Sequence, residues 1–598
     1  MRRASRRHLL VGATVPVVLL AIGYGCNGKD YLTQAATPQG VLNEKTLSTL
    51  SGVEGSLIAT YRALDWNSAV GGAWGNAASN WVWGSVTSDD AYKGSESTDQ
   101  PNINDIEAYN WGTGLASDYL NDKWRGMYEG ISRANATLRL LKEAQAANAS
   151  AIPAADAKGI EGEAIFLRAH YHFELYRMWG NVPYLRETDA DFRKPAITGP
   201  EVITEILKDL DAAIAALPAT PRKGQKGRAT SWTAKAYKGR VQVYAGQYQA
   251  ALTTLREVRA SGPYKLETSF DRVWTGFADR QNGPETILAY QASSNDGDAN
   301  GNNANYGERL NFPHSGSPFG CCGFHQPSQN LVNYFRVDAN GLPAALSNPS
   351  WNAVLDTAFT AGVSANVEVD PRLDWTVGRD GVPYKDWGKH ERGWIRAPAY
   401  GGFYSPKKNV HEKASGAQSN VGWVPTQLNS VNIHIFRYAD MLLLLAEAEV
   451  EAGSIETARQ IVNEIRARAG VTAQGPGTDA ATIAVPISDP RITWAKYRVS
   501  TYPAGSPAFA TQAAARNAVR AERRLELAME GQRFFDLRRW NIMIQTINDY
   551  LAVEKTRRPY LTGASQVSQR HMLYPIPNIQ IELSKVAGQP TLKQNTGW

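Results

Sequence analysis

Aromatic rings placed in loops are the side chains of this sequence best suited to gripping a ligand. The chain holds 17 Trp, 26 Tyr and 15 Phe. Most must fill a core, but a ring left in a loop exposes a large apolar face, which often marks a binding surface. A pyranose has an apolar C–H face that lies on such a ring, while its hydroxyls take a few fixed polar groups. Trp74 stands in a Gly-rich loop over 71–76, and Tyr306, Phe312, Phe319 and Phe324 stand beside Asn305, Asn311, His314 and His325. Trp387 and Trp394 follow among Lys389, His390 and Arg392. Trp74, Tyr306, Phe319, Phe324 and Trp394 are the candidate platforms. Cys321 and Cys322 are adjacent in the run GCCGF. Closed as a disulfide outside the cytoplasm they form a rigid apolar plate suited to stacking on a sugar; otherwise they are two buried or free thiols.

Oxygen ligands on alternate residues suggest a metal. Asp296, Asp298, Asn300 and Gly301 reproduce the start of the D-x-D-x-N-G calcium loop, with Gly at the sharp turn. The closing Glu of that loop falls at 307, which is Gly, with Glu308 one position late. Calcium held by Asp296, Asp298 and Asn300 is one expectation, and a polar loop without metal is the other; no cofactor is required. Carboxylates also cluster at Asp89 and Asp90, and at Asp370, Asp374, Asp380 and Asp386. An acid/base pair for glycoside cleavage would have to come from such groups. Asp89, Asp370 and Asp380 sit directly beside Ser, Pro or Gly, a turn-like context where Asp commonly caps or turns the backbone. The GxxxxGK[ST], HExxH, GxSxG and CxxC fingerprints are absent. Binding without catalysis is the expectation.

Positioning these loops falls to helices. Trp232, Ala236, Arg240, Val243 and Tyr244 recur near helical spacing, Gly246 breaks the run, and a second helix starts at Tyr248. Phe436–Glu451 and Ile455–Ala467 repeat the plan: Gly453 ends one helix, Ser454 caps the next and Gly470 terminates it. This is a tetratricopeptide-like unit, which buries its apolar stripe only by stacking on neighbours. Further helices are predicted at 122–145, 155–178, 200–217 and 513–529. From about 282 to 430 no helical period is sustained, and Gly, Pro, Asn and aromatic residues dominate. The predicted fold is mainly α: a tetratricopeptide-like helix-pair superhelix carrying an irregular loop-rich, aromatic-rich insertion.

The amino terminus reads as an address. Basic residues Arg2, Arg3, Arg6 and Arg7 precede an apolar run, Leu9–Ile22, shorter than the roughly 20 residues a spanning helix needs. Residues 1–25 therefore form an export signal. Cys26, followed by a polar stretch, resembles the acylation site of a bacterial lipoprotein. The net charge is +6, and removing the four leader arginines leaves +2, so no electrostatic case for nucleic acid stands.

Several separated blocks resemble the SusD/RagB family of outer-membrane nutrient-binding lipoproteins. They are EAIFLRAHYHFELYRMWGNVP at 163–183, FRYADMLLLLAEAEVEAGSIETARQIVNEIRARAG at 436–470 and AERRLELAMEGQRFFDLRRW at 521–540. The tail, with PIP at 575–577 and a terminal QNTGW, completes the set. Asp440 replaces the family's usual Glu. The resemblance implies one SusD-like helical domain over 26–598, with the insertion at about 282–430 facing the ligand. It further implies a lipid anchor at Cys26 on the cell surface of the outer membrane. The partners implied are an oligosaccharide or other bulky nutrient and a SusC-type TonB-dependent transporter that receives it. An extracytoplasmic helical glycosidase and a tetratricopeptide-type adaptor for protein segments are the alternatives. Within the blocks, Arg523, Arg524, Glu526, Glu530, Arg533, Asp536 and Arg538 alternate in sign at spacings that allow pairing, as structural ties along helices. Glu163, Arg168, Arg437 and Arg466 read the same way.

Overall fold

Hydroxyl side chains set where the long helices begin. Thr113, Thr230, Ser454 and Thr511 each accept an amide hydrogen from the first turn of the helix that follows. A computed structural model describes residues 47–65, 72, 74–314, 316–355, 367–422 and 427–598. The export signal and Cys26 lie outside the described residues.

The principal helices are α1 (Leu50–Arg62), α2 (Gly114–Ala147), α3 (Ala154–Trp179), α4 (Gly199–Ala216), α5 (Ser231–Tyr244) and α6 (Tyr248–Ser261). After the irregular part come α7 (Tyr438–Ala452), α8 (Ile455–Ala469), α9 (Gln512–Leu527), α10 (Arg533–Arg539), α11 (Met543–Arg557) and α12 (Asn578–Leu583). Consecutive members stack, α1 on α2 and so on through α6; α6 then packs on α7, and α7 on α8. The array is therefore continuous in space across the long excursion from Ser261 to Tyr438. Helix α3 is buried on nearly every face, as a helix at the centre of a large core must be. Gly130 of α2 faces the Tyr171 ring of α3, where an added Cβ would sit 2.7 Å from ring carbons. Only glycine lets these two helices approach so closely.

Sheet is sparse: β1 (Ala91–Gly94), β2 (Thr286–Tyr290), β3 (Phe324–Pro327) and β4 (Ile433–Arg437) are the strands that matter to the site. β1 pairs antiparallel with β3, Tyr92 opposite Gln326, and β2 pairs antiparallel with β4, Leu288 opposite Phe436. Phe436 and Arg437, expected to open a helix, belong to β4, and α7 starts at Tyr438. Ladder pairing with β2 claims their backbone first.

The charged signature residues are buried rather than laid along exposed faces. Arg437 Nη1 contacts Glu285 at 2.6 Å and Glu526 at 2.7 Å, and its Nη2 contacts Glu530 at 2.8 Å. Arg372 joins Asp370, Glu522 and Glu526, while Arg466 joins Glu522 and Arg523 joins Asp440 and Asp536. Glu163 pairs with Arg222 and Arg228, and Arg168 with Asp209 and Glu187. These groups tie α7, α8 and α9 to the irregular part, and α3 to its neighbours.

Candidate functional site

Two short turns, Trp74–Asn76 and Tyr306–Glu308, meet at the surface and bring Trp74 and Tyr306 together. Asp65, at the end of α1, is the clasp. Its Oδ1 accepts the Ala78 amide at 2.8 Å and its Oδ2 the Gly307 amide at 3.1 Å. Trp81 Nε1 donates to the Gly307 carbonyl at 3.2 Å, and Ser79 Oγ donates to Glu308. A Cβ at 307 would collide with the Asp65 carboxylate and the Ala77 backbone, so this contact requires glycine. Glu308 also accepts from Asn311 at 2.8 Å and Asn409 at 2.9 Å. Burial pushes the Glu308 carboxyl up to about 7 and pushes Asp65 up as well, against the pull of Arg62 and the two amides.

The resulting ring pair is parallel: Trp74 and Tyr306 have centroids 6.0 Å apart and planes 4° apart. Both remain partly exposed. The Arg309 guanidinium stacks 4.3 Å from the Tyr306 centroid and 5.1 Å from that of Trp74. Arg309 is buried while the rings are not, so it supports them from the inner side. Sequence reasoning passed over Arg309, although it follows Tyr306 by three residues in one turn, a spacing that shares a face.

Cys321 and Cys322 are joined as a vicinal disulfide, with Cys321 partly exposed and Cys322 in the core. One short stretch links this corner to the ring pair. Gln427 Nε2 donates to the Cys321 carbonyl and lies 3.6 Å from Cys322 Sγ, and two residues on Asn429 exchanges backbone and side-chain bonds with Asn305 at 3.1 and 2.9 Å. Asn305 immediately precedes Tyr306. Residues 427–429 thus link the Cys321–Cys322 unit to Asn305, the residue before Tyr306.

Three candidate platforms stand elsewhere. Phe319 and Trp394 are buried with Phe312, Tyr384 and Val410 in a small core of the insertion itself. Phe324, in β3, is fully buried edge-on to Trp81 at 6.3 Å. Their rings present no face to solvent; they support the surface instead of forming it. The insertion has too many rings to leave in water, so it builds a core of its own.

The expected calcium loop spends its oxygens on itself. Asp296 Oδ1 accepts the Asp298 amide at 3.2 Å, and Asp298 Oδ1 accepts the Asn300 amide at 2.8 Å and the Asn302 amide at 3.2 Å. The Asn303 side-chain amide, at 2.9 Å from Asp296 Oδ2, and then the Asp298 amide hold the Asp296 carboxyl below its ordinary range, and the Asn300 and Asn302 amides do the same for Asp298. Asn300 contributes a donor to this turn, and Glu308 is committed to Ser79, Asn311 and Asn409. Among the described residues no three His, Cys, Asp or Glu side chains converge as a metal would need. Both carboxylates thus already carry hydrogen bonds within the loop.

The carboxylate clusters are likewise engaged. Arg533 Nε contacts Asp89 at 2.8 Å and Arg524 Nε contacts Asp90 at 3.0 Å; against the upward push of burial, Arg524 and Arg533 hold the Asp89 carboxyl down to about 2. Asp370 is tied to Arg372, Asp374 to Arg379 and Asp380 to Arg392, while Asp386 accepts the Lys413 and Ala414 amides. An acid poised to protonate a leaving group needs a proton near neutral pH; Asp89 does not keep one, and Asp90, pushed up by burial and by the Asp89 charge, is buried in an ion pair with Arg524.

The model of the SusD family matches residues 284–598, and a second, described as starch-binding and associating with the outer membrane, matches residues 68–243. SusD-like protein P38 of Formosa agariphila is 24% identical over 547 residues, 89% of this chain and 92% of that protein. The crystal structure of a SusD superfamily protein from Bacteroides vulgatus superposes with a TM-score of 0.66 at 20% identity, covering 92% of this chain and 100% of that one. Surface glycan-binding protein A from Bacteroides thetaiotaomicron, in complex with laminarihexaose, superposes with a TM-score of 0.61 at 16% identity, covering 91% and 99%.

Proposed function

Since the chain belongs to the SusD family, we propose that it is a non-catalytic receptor that captures an oligosaccharide at the cell surface and passes it to a SusC-type TonB-dependent outer-membrane transporter. The observation that carries this reading is the parallel, partly exposed Trp74–Tyr306 pair, braced by Arg309. Two parallel, partly exposed rings offer apolar faces to the C–H faces of a sugar. Asn302, Asn303 and Ser430, partly exposed beside the buried Asn305–Asn429 contact, offer amides and a hydroxyl for sugar hydroxyls. The Cys321–Cys322 unit, joined to the pair through Gln427–Asn429, extends the apolar surface as a plate.

Anchoring through a lipid on Cys26 accounts for a leader followed by a chain in which no described helix is long and apolar enough to cross a membrane. Similarity to glycan-binding proteins along almost the whole chain supports a sugar as ligand. The ion-paired state of Asp89, Asp90, Asp370 and Asp374 supports gripping over cleaving. A binding screen of the intact protein against oligosaccharides and peptides, with chromatography of each mixture afterwards, tests the reading. Binding of at least one oligosaccharide with no new products is the expected result; release of shorter sugars, or binding of peptides alone, would refute it.

A further inference from the structure

A second concave site lies along α2, away from the ring pair and its supports. A cavity of about 440 Å³ is enclosed by α2, the segment 183–194 and the C-terminal part around α12, with Trp124, Tyr128, Ile131 and Leu185 in its lining. Its rim carries large apolar side chains in water: Phe192 is 71% exposed and Leu583 is 56% exposed. Scattered single apolar residues need no explanation, but two on the rim of one groove lined by Trp124, Tyr128, Ile131 and Leu185 form a patch of the kind that marks a partner.

Charge narrows the occupant. The lining carboxylates are already neutralised, Glu129 by Arg133 at 2.8 Å and Asp189 by Lys194 at 2.9 Å. Arg186 is matched by Glu205 and Asp209, and Arg193 by Asp191. Two guanidinium groups remain without an ion-pair partner among the described residues, Arg125 and Arg139, the latter donating to the Glu187 backbone carbonyl at 3.3 Å. Ser132 lies midway between them, and all three are exposed. At spacings of seven they form one stripe along α2, and fourteen residues of helix put the two cations about 21 Å apart. An extended chain covers that length in six steps of about 3.4 Å, and every second side chain points to the same face.

We propose that this groove docks an extended segment of a partner protein, with apolar side chains at its middle and a carboxylate at each end. The middle side chains enter between Phe192, Leu583 and the Trp124–Tyr128 lining, and the end carboxylates reach Arg125 and Arg139. Rim charges of this kind steer encounter and fix register, while the buried side chains supply most of the affinity. The site is independent of what Trp74 and Tyr306 bind.

The test uses the intact protein and a fluorescent acetyl-Asp-Ser-Phe-Ser-Leu-Ser-Asp-amide peptide, read by anisotropy. Saturable binding is expected. It should weaken about tenfold in Arg125→Glu, in Arg139→Glu and in Phe192→Ala, and as much when Lys replaces both Asp of the peptide. All three altered side chains are exposed, so circular dichroism and melting should not change, and oligosaccharide binding should be retained. No binding, equal binding of the acidic and basic peptides, or wild-type affinity in the three variants would overturn the proposal. Competition for the groove by an oligosaccharide would also overturn it.

Discussion

Gly307 and Glu308 carry the ring pair more than the rings themselves do. The first lets the turn lie against Asp65 and Ala77, and the second fastens that turn to Ser79, Asn311 and Asn409. Burial holds the Glu308 carboxyl near 7, above its ordinary value of 4.5, so the folded protein keeps that proton longer than the unfolded chain does. Stability from this group is present in full below about pH 4.5 and falls as pH rises to about 7, by roughly 3 kcal/mol. Glu308→Gln, which cannot ionise, should lose that part of the decline. Thermal melting of wild type and variant at intervals from pH 4.5 to 8 checks this: the gap between the two should move in the variant's favour as pH rises, and parallel curves would show Glu308 uncoupled from folding. Neither residue was legible as part of a site in the sequence. In the sequence Glu308 reads only as a late calcium ligand, because nothing local shows that Asp65, hundreds of residues away, approaches Gly307.

At the level of elements, the buried arginine and carboxylate groups fasten β4, α7, α8 and α9 together. Removing one member of such a buried set leaves an uncompensated charge, at a cost of about 3 to 5 kcal/mol. Arg437→Gln should therefore lower the melting temperature substantially. Arg491→Gln, which breaks an exposed pair with Asp489, should leave it where it is. Differential scanning calorimetry of the two variants separates the cases, and equal melting points would mean that the Arg437 cluster is structurally idle. The helices holding these residues were readable in advance because their starts and stops are local: Ser454 caps α8 and Gly470 closes it as expected. The burial of the charges was not readable. Alternating signs look the same on a solvated face and in a core, and only the packing of α9 against α7 and α8 decides between them.

For the whole molecule, the stacked helices form one array through which the insertion passes as a long excursion, returning at β4 to the partner strand it left at β2. The helical array could be read from period and punctuation, whereas the insertion has neither. Its order rests on side-chain bonds across long separations, such as Asn305 to Asn429 and Gln427 to Cys321. For the same reason five loop rings looked alike in the sequence, and only Trp74 and Tyr306 reach the surface. The account depends on that pair gripping a sugar. The most direct measurement is calorimetric titration of the best oligosaccharide from the screen into wild type, Trp74→Ala and Tyr306→Ala. Each variant should bind at least about tenfold more weakly with its melting temperature preserved; two well-folded variants that bind as tightly as wild type would contradict the account.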